Sequence, residues 1–72
     1  MDEFYNIPVE HLLKHILKHH PEALDDIRNL DTASEKINKA KKYAWMATRE
    51  TKDPYGQYVY GSVAAKLYFL AK

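Results

Sequence analysis

Four histidines near the start of the chain come closest, by type and spacing, to a metal site. His11, His15 and His19 are each four residues apart, and His20 follows directly. On an α-helix this spacing places three imidazoles along one stripe, where a neighbouring pair can bind a transition-metal ion. A tight site needs a third and usually a fourth ligand, and no motif in the sequence supplies them. The sequence therefore favours a solvated helix face over a metal site or a proton-linked switch, and no metal or other cofactor is predicted.

A second pattern combines basic residues with aromatic side chains between positions 36 and 52. This composition is typical of proteins that neutralise phosphates and stack on bases, so nucleic-acid binding is an alternative function. On a helical wheel the lysines spread over more than one side, which is unlike a single stripe facing a nucleic-acid backbone. The residues of this alternative are Lys36, Lys39, Lys42 and Arg49 on phosphates, with Tyr43 or Trp45 stacking on bases.

Aromatic residues are the third pattern, with six tyrosines, two phenylalanines and one tryptophan among 72 residues. Several of them lie off the main apolar stripes of their segments, which leaves a second apolar face without a partner. Aromatic residues and methionine are enriched at the cores of protein interfaces, so we expect self-association and a protein-binding surface with basic residues steering an acidic partner. The predicted protein-binding residues are Trp45, Met46, Tyr68 and Phe69, with Lys41, Lys42 and Arg49 at the rim.

Catalytic patterns are absent from the sequence. There is no cysteine, and neither Ser34 nor Ser62 lies in a G-x-S-x-G turn. Asp25 and Asp26 are adjacent, which on a helix points their carboxylates about 100° apart and disfavours shared acid–base chemistry. The sequence therefore predicts a protein that is not an enzyme.

Four helices are predicted to position these residues, which makes the fold class all-α. Proline residues mark helix boundaries, and the Thr32 to Glu35 segment has the capping-box form that begins a helix at Ala33. A strand over residues 57–63 is an alternative, because tyrosine and valine alternate there, but no partner strand is visible. The predicted helices cover residues 8–20, 21–30, 33–51 and 57–71.

Apolar spacing predicts how these helices pack. The third helix has a stripe of mostly small residues and the fourth a stripe of large ones, so an antiparallel hairpin of the two is expected. Two shorter N-terminal helices would pack against that hairpin as a compact bundle. The stripe of the third helix is Ala33, Ile37, Ala40, Ala44 and Ala47, and that of the fourth is Tyr60, Val63, Leu67 and Leu70.

Composition limits the setting in which the protein works. Seventy-two residues with 46% apolar content predict one domain, residues 1–72, with a small core. Residues 1–31 carry seven acids and three bases, a charge of minus four, and residues 32–72 carry three acids and eight bases, a charge of plus five. The lack of cysteine, the acidic start and the absence of a long apolar run favour a cytoplasmic protein without membrane contact.

The run Ile37-x-x-Ala40-x-x-Tyr43-Ala44-x-x-Ala47 is similar to the small-residue helix of the hairpin proteins with which some phages sequester cyclic oligonucleotide signals. The similarity is confined to this one helix and assigns no site residues. It implies that sequestering a small anionic ligand at a subunit interface is a further alternative.

The leading prediction is a bacterial or phage accessory or inhibitor protein that modulates a larger protein partner.

Overall fold

Four helices form where the apolar spacing predicts them in the part of the chain described by the computed structural model, which covers the backbone of residues 3–72 and the side chains of residues 7–72. The all-α prediction is confirmed, and residues 57–63 are helical, so the strand alternative is wrong. No helix among the described residues combines the length and apolar character needed to cross a membrane. The helices are α1 (Glu3–His19), α2 (Ala23–Arg28), α3 (Ala33–Thr51) and α4 (Gly56–Ala71).

The start and end of α3 follow from local chemistry. The Thr32 hydroxyl oxygen accepts a hydrogen bond from the Glu35 backbone N–H at 3.1 Å, as the capping box predicts. A capping box also has the carboxylate of the glutamate accept from the backbone N–H of the threonine. Here the Glu35 carboxylate instead accepts from the Thr32 hydroxyl, at 3.2 Å. Lys52 ends the helix with φ of 54°, and its N–H donates to the Thr48 carbonyl at 3.1 Å.

The first two helices differ from the predicted ones in length. Helix α1 begins at Glu3 rather than at residue 8, so Pro8 lies inside the helix and its ring is buried. A proline removes one helical hydrogen bond, but a buried ring also contributes packing, and here the helix continues through it. Helix α2 is shorter than expected, because Pro21 and Glu22 form the turn between α1 and α2. The N-terminal pair is therefore one long helix and one of six residues.

The core lies between α1, α2 and the α3–α4 pair. Its fully buried large side chains include Leu12 and Ile16 of α1, Ile27 of α2 and Leu67 of α4. The alanines at positions 40, 44 and 47 are also fully buried, which confirms the small-residue stripe over this part of α3. The edges of the predicted stripes are wrong: Ile37 is 39% exposed, Leu70 is 49% exposed, and Ala33 is exposed.

Helices α3 and α4 make the most extensive contact in the fold and run antiparallel. Thr48 meets Gly56 beside the turn, and Trp45 meets Tyr60 one helical turn further from it. This register places the last turn of α4 opposite the first turns of α3. Ile37 lies in these first turns of α3 and is nevertheless 39% exposed.

The two glycines of α4 make a testable pair. A Cβ at Gly56 would lie 2.5 Å from the Thr48 Cγ2, whereas a Cβ at Gly61 would meet nothing within 4 Å. We expect Gly56→Ala to lower the free energy of unfolding by about 1 to 3 kcal/mol, and Gly61→Ala to raise it by up to about 1 kcal/mol. Urea denaturation measures both changes. Thr48→Ala should remove most of the Gly56→Ala penalty in the double variant, and an unchanged penalty would show that the clash is elsewhere.

Candidate functional site

An exposed face of α3 carries most of the predicted protein-binding residues. Trp45 is 45% exposed and Met46 is 39% exposed. These two side chains are exposed because they lie on the side of α3 opposite the one that is buried in the core. Trp45 leans on α4 with its ring edge-on to Tyr60, at 5.3 Å between centroids. The indole is thus held in place at one edge while much of its surface faces solvent.

Shallow depressions surround the Trp45 side chain. One is formed along α3 by Lys42, Met46, Arg49 and Glu50 together with Trp45. Others adjoin it on either side, one towards Tyr60 of α4 and one towards the α3–α4 turn. We call the set Lys41, Lys42, Trp45, Met46 and Arg49 the α3 surface.

Positive charge predominates on the α3 surface. Lys41, Lys42 and Arg49 are exposed, and Glu50 is the acid that borders the same depression. Among the side chains described by the structure, no ion pair involves these three cations. The cations are therefore available to an acidic partner at the rim of the apolar centre formed by Trp45 and Met46.

The other two predicted protein-binding residues lie elsewhere. Tyr68 and Phe69 are in the last turn of α4, near the end of the bundle where the Arg28 Nε donates to the Ala71 carbonyl at 3.0 Å. Their rings contact each other, and the Lys72 Nζ lies 5.4 Å from the Phe69 ring centroid. The sequence grouped these aromatics with Trp45, whereas the structure places them at separate positions along the α3–α4 hairpin.

Tyr43 does not fit the nucleic-acid alternative. Its side chain is only 7% exposed, and its hydroxyl donates to the Asp26 carboxylate of α2. Lys39 lies over the ring, with its Nζ 5.8 Å from the centroid, and Lys36 is half-buried. A ring held in this way cannot stack on a base, which leaves Trp45 as the aromatic residue of that alternative.

Burial and the hydrogen bond to Asp26 raise the pKa of Tyr43 from its ordinary value of 10.0 to about 12. The unfolded chain thus loses this proton at lower pH than the folded one, and the free energy of unfolding should fall as pH rises from 10 towards 12. We expect Tyr43→Phe to show a smaller fall in urea denaturation across that interval. Tyr58→Phe, at a position 71% exposed, is the control and should follow the wild type. Parallel curves for wild type and Tyr43→Phe would contradict the pKa assignment.

Two imidazoles converge on one carboxylate beside the α3 surface. The His15 Nε2 and the His20 Nε2 each lie 2.8 Å from the same Glu50 oxygen, Oε1. His15 is in α1, and His20 immediately follows it, where the chain turns towards α2. Hydrogen bonds from His20, which has the larger effect, and from His15 lower the pKa of the Glu50 carboxyl below its ordinary value. We call these three residues the His–Glu cluster.

The His–Glu cluster differs from the histidine row seen in the sequence. His11 is exposed and lies outside it, and His19 stacks on His15 at 4.5 Å between ring centroids. His20, which does not lie on that stripe, takes part from the position directly after the end of α1. The sequence does not predict Glu50 as the third group of the cluster. An isolated acid on a basic helix is the one signal that could have marked it as a candidate.

Comparisons with protein-family models, curated proteins and solved structures found no match to this chain. The similarity of residues 37–47 to phage sequestering proteins therefore remains an expectation from the sequence.

Proposed function

We propose that the protein is a non-enzymatic binding module that docks the α3 surface onto an acidic protein partner and thereby modulates that partner. The observation that carries the proposal is the exposed Trp45 and Met46 pair, bordered by cations and by shallow depressions. Tryptophan and arginine are the residues most enriched among interface hot spots. A rigid indole already held by Tyr60 also loses little conformational freedom on binding.

Charge supports an acidic partner. Lys41, Lys42 and Arg49 flank the apolar centre, so a partner with carboxylates around an apolar pocket matches both parts of the surface. Charges at the rim act mainly on the rate of association, while the buried aromatic side chain acts on the rate of dissociation. The burial of Tyr43 supports a protein partner over nucleic acid, because it removes one of the two stacking side chains.

Site-directed photo-cross-linking tests this proposal. A photoreactive phenylalanine analogue is placed at Met46, and in a second sample at Ser62, an exposed position of α4. We expect a discrete protein adduct in cells from position 46 that is missing from position 62. Co-expression of excess wild-type protein, which lacks the photoreactive residue, should abolish the adduct by competition. Co-expression of excess Trp45→Ala variant should not.

Other products would contradict the proposal in identifiable ways. Adducts to a second copy of the chain would assign the α3 surface to self-association, which the sequence also predicts. Adducts to nucleic acid would favour the alternative based on Lys36, Lys39, Lys42 and Arg49. Equal products from positions 46 and 62 would show that the α3 surface has no specific partner.

A further inference from the structure

We propose that His15, His20 and Glu50 bind one divalent transition-metal ion of the zinc type, which clamps the end of α1 to α3. This inference does not depend on the proposed docking function. It rests on the two histidine nitrogens that approach one Glu50 oxygen at 2.8 Å. One potential ligand atom from each residue lies within 4.8 Å of the others.

The spacing of the cluster is close to that of a metal site. Zinc holds histidine nitrogen and carboxylate oxygen at about 2.0 to 2.2 Å, which sets neighbouring ligands of a tetrahedral site about 3.3 Å apart. The two nitrogen–oxygen separations, 2.8 Å each, are slightly below this value, and all three ligand atoms lie within 4.8 Å of one another. Small rotations of three side chains that are half-buried or exposed are therefore enough to admit the ion.

The donor atoms select the class of metal. Two imidazole nitrogens and one carboxylate oxygen form the His₂Glu set that zinc uses in proteins, with water in the fourth position. Magnesium and calcium prefer sites made of oxygen alone, so they should not compete. The position of the cluster at the surface leaves room for water to complete the coordination.

Glu22 supplies a second, independent observation. Its carboxylate Oε1 lies 3.8 Å from the other ring nitrogen of His20, Nδ1. When a metal replaces the proton on Nε2, the ring keeps its other proton on Nδ1, on the side where the Glu22 carboxylate favours it. Carboxylate, histidine and metal are commonly arranged in this order in protein zinc sites.

Metal binding would tie two distant parts of the sequence together. The ion would join the junction of α1 and α2 to the second half of α3. Small domains with limited cores are often stabilised by a metal in this way. An ion that binds only the folded state raises the midpoint of thermal unfolding, by roughly 10 °C or more for a domain of this size at free zinc near 100 times the dissociation constant.

Isothermal titration calorimetry tests the proposal, with zinc chloride added to the full chain after removal of metal by a chelator. Thermal unfolding is the second readout. We expect one ion per chain at micromolar concentrations, a higher unfolding midpoint, and neither effect with magnesium. His20→Gln and Glu50→Gln should each weaken zinc binding more than about 10-fold. His11→Gln is the matched control and should bind zinc as the wild type does.

The variants distinguish the cluster from an ordinary helical histidine pair. If zinc bound His11 with His15, or His15 with His19, then His11→Gln or His19→Gln would weaken binding and His20→Gln would not, which would overturn the proposal. Absence of saturable binding at micromolar zinc would also overturn it. If His20→Gln fails to fold, Glu50→Gln still tests the proposal, because it removes a ligand that neither helical histidine pair uses.

Discussion

Leu67→Ala is expected to lower the free energy of unfolding by about 2 to 5 kcal/mol, because Leu67 is fully buried in α4 and its truncation leaves a cavity in the core. A chain of 72 residues has a total stability of roughly 4 to 11 kcal/mol, so this one change removes a large part of it. The midpoint of thermal unfolding should fall by at least about 10 °C. Circular dichroism during heating and urea denaturation measure the loss.

Leu70→Ala is the matched control for this experiment. The apolar spacing places Leu67 and Leu70 on the same stripe, but Leu70 is 49% exposed. Its truncation leaves no closed cavity, so we expect a cost below about 1 kcal/mol. Equal costs for the two variants would contradict the exposure of Leu70 in the last turn of α4.

Trp45→Ala is expected to weaken binding of the cross-linked protein partner by about 30-fold or more, which corresponds to the loss of about 2 kcal/mol at an interface hot spot. The variant should remain folded, because Trp45 is 45% exposed and lies outside the buried core. Biolayer interferometry with the purified partner measures the dissociation constant, and the effect should lie mainly in the rate of dissociation.

Phe69→Ala serves as the control for Trp45→Ala. Phe69 is more exposed than Trp45, at 66%, but it lies at the far end of α4 beside Lys72. We expect its truncation to change the dissociation constant less than about 3-fold. Loss of binding in Phe69→Ala with retention in Trp45→Ala would move the docking surface to the end of α4.

Charge reversal at Lys42 should instead slow association, with an effect that weakens at high salt.

Much of the fold could be predicted because it depends on local signals. The Thr32 cap and the turn around Pro54 set the limits of α3 within short stretches of chain. The spacing of Ala40, Ala44 and Ala47 identified the buried side of α3. The predicted start of α1 is wrong because Pro8 indicates a helix boundary at the level of sequence, whereas proline inside a helix is disfavoured but not excluded.

The candidate sites depend on contacts between distant residues, which periodicity does not reveal. Glu50 reaches His15 and His20 across 35 and 30 positions of sequence. Tyr43 is buried because α2 presents Asp26 to its hydroxyl, and nothing in the spacing of α3 indicates that bond. The exposure of Trp45 was consistent with its place off the alanine stripe, but its distance from Phe69 depends on the register of the hairpin.

Fluorine NMR of the protein labelled with 5-fluorotryptophan tests the docking of the α3 surface most directly. Trp45 is the single tryptophan of the chain, so the spectrum contains one resonance from the site and none from an unlabelled partner. We expect saturating partner to shift this resonance and to reduce its difference between H₂O and D₂O, since the indole becomes shielded from solvent. An unchanged resonance, while interferometry shows the complex to be formed, would contradict docking through Trp45.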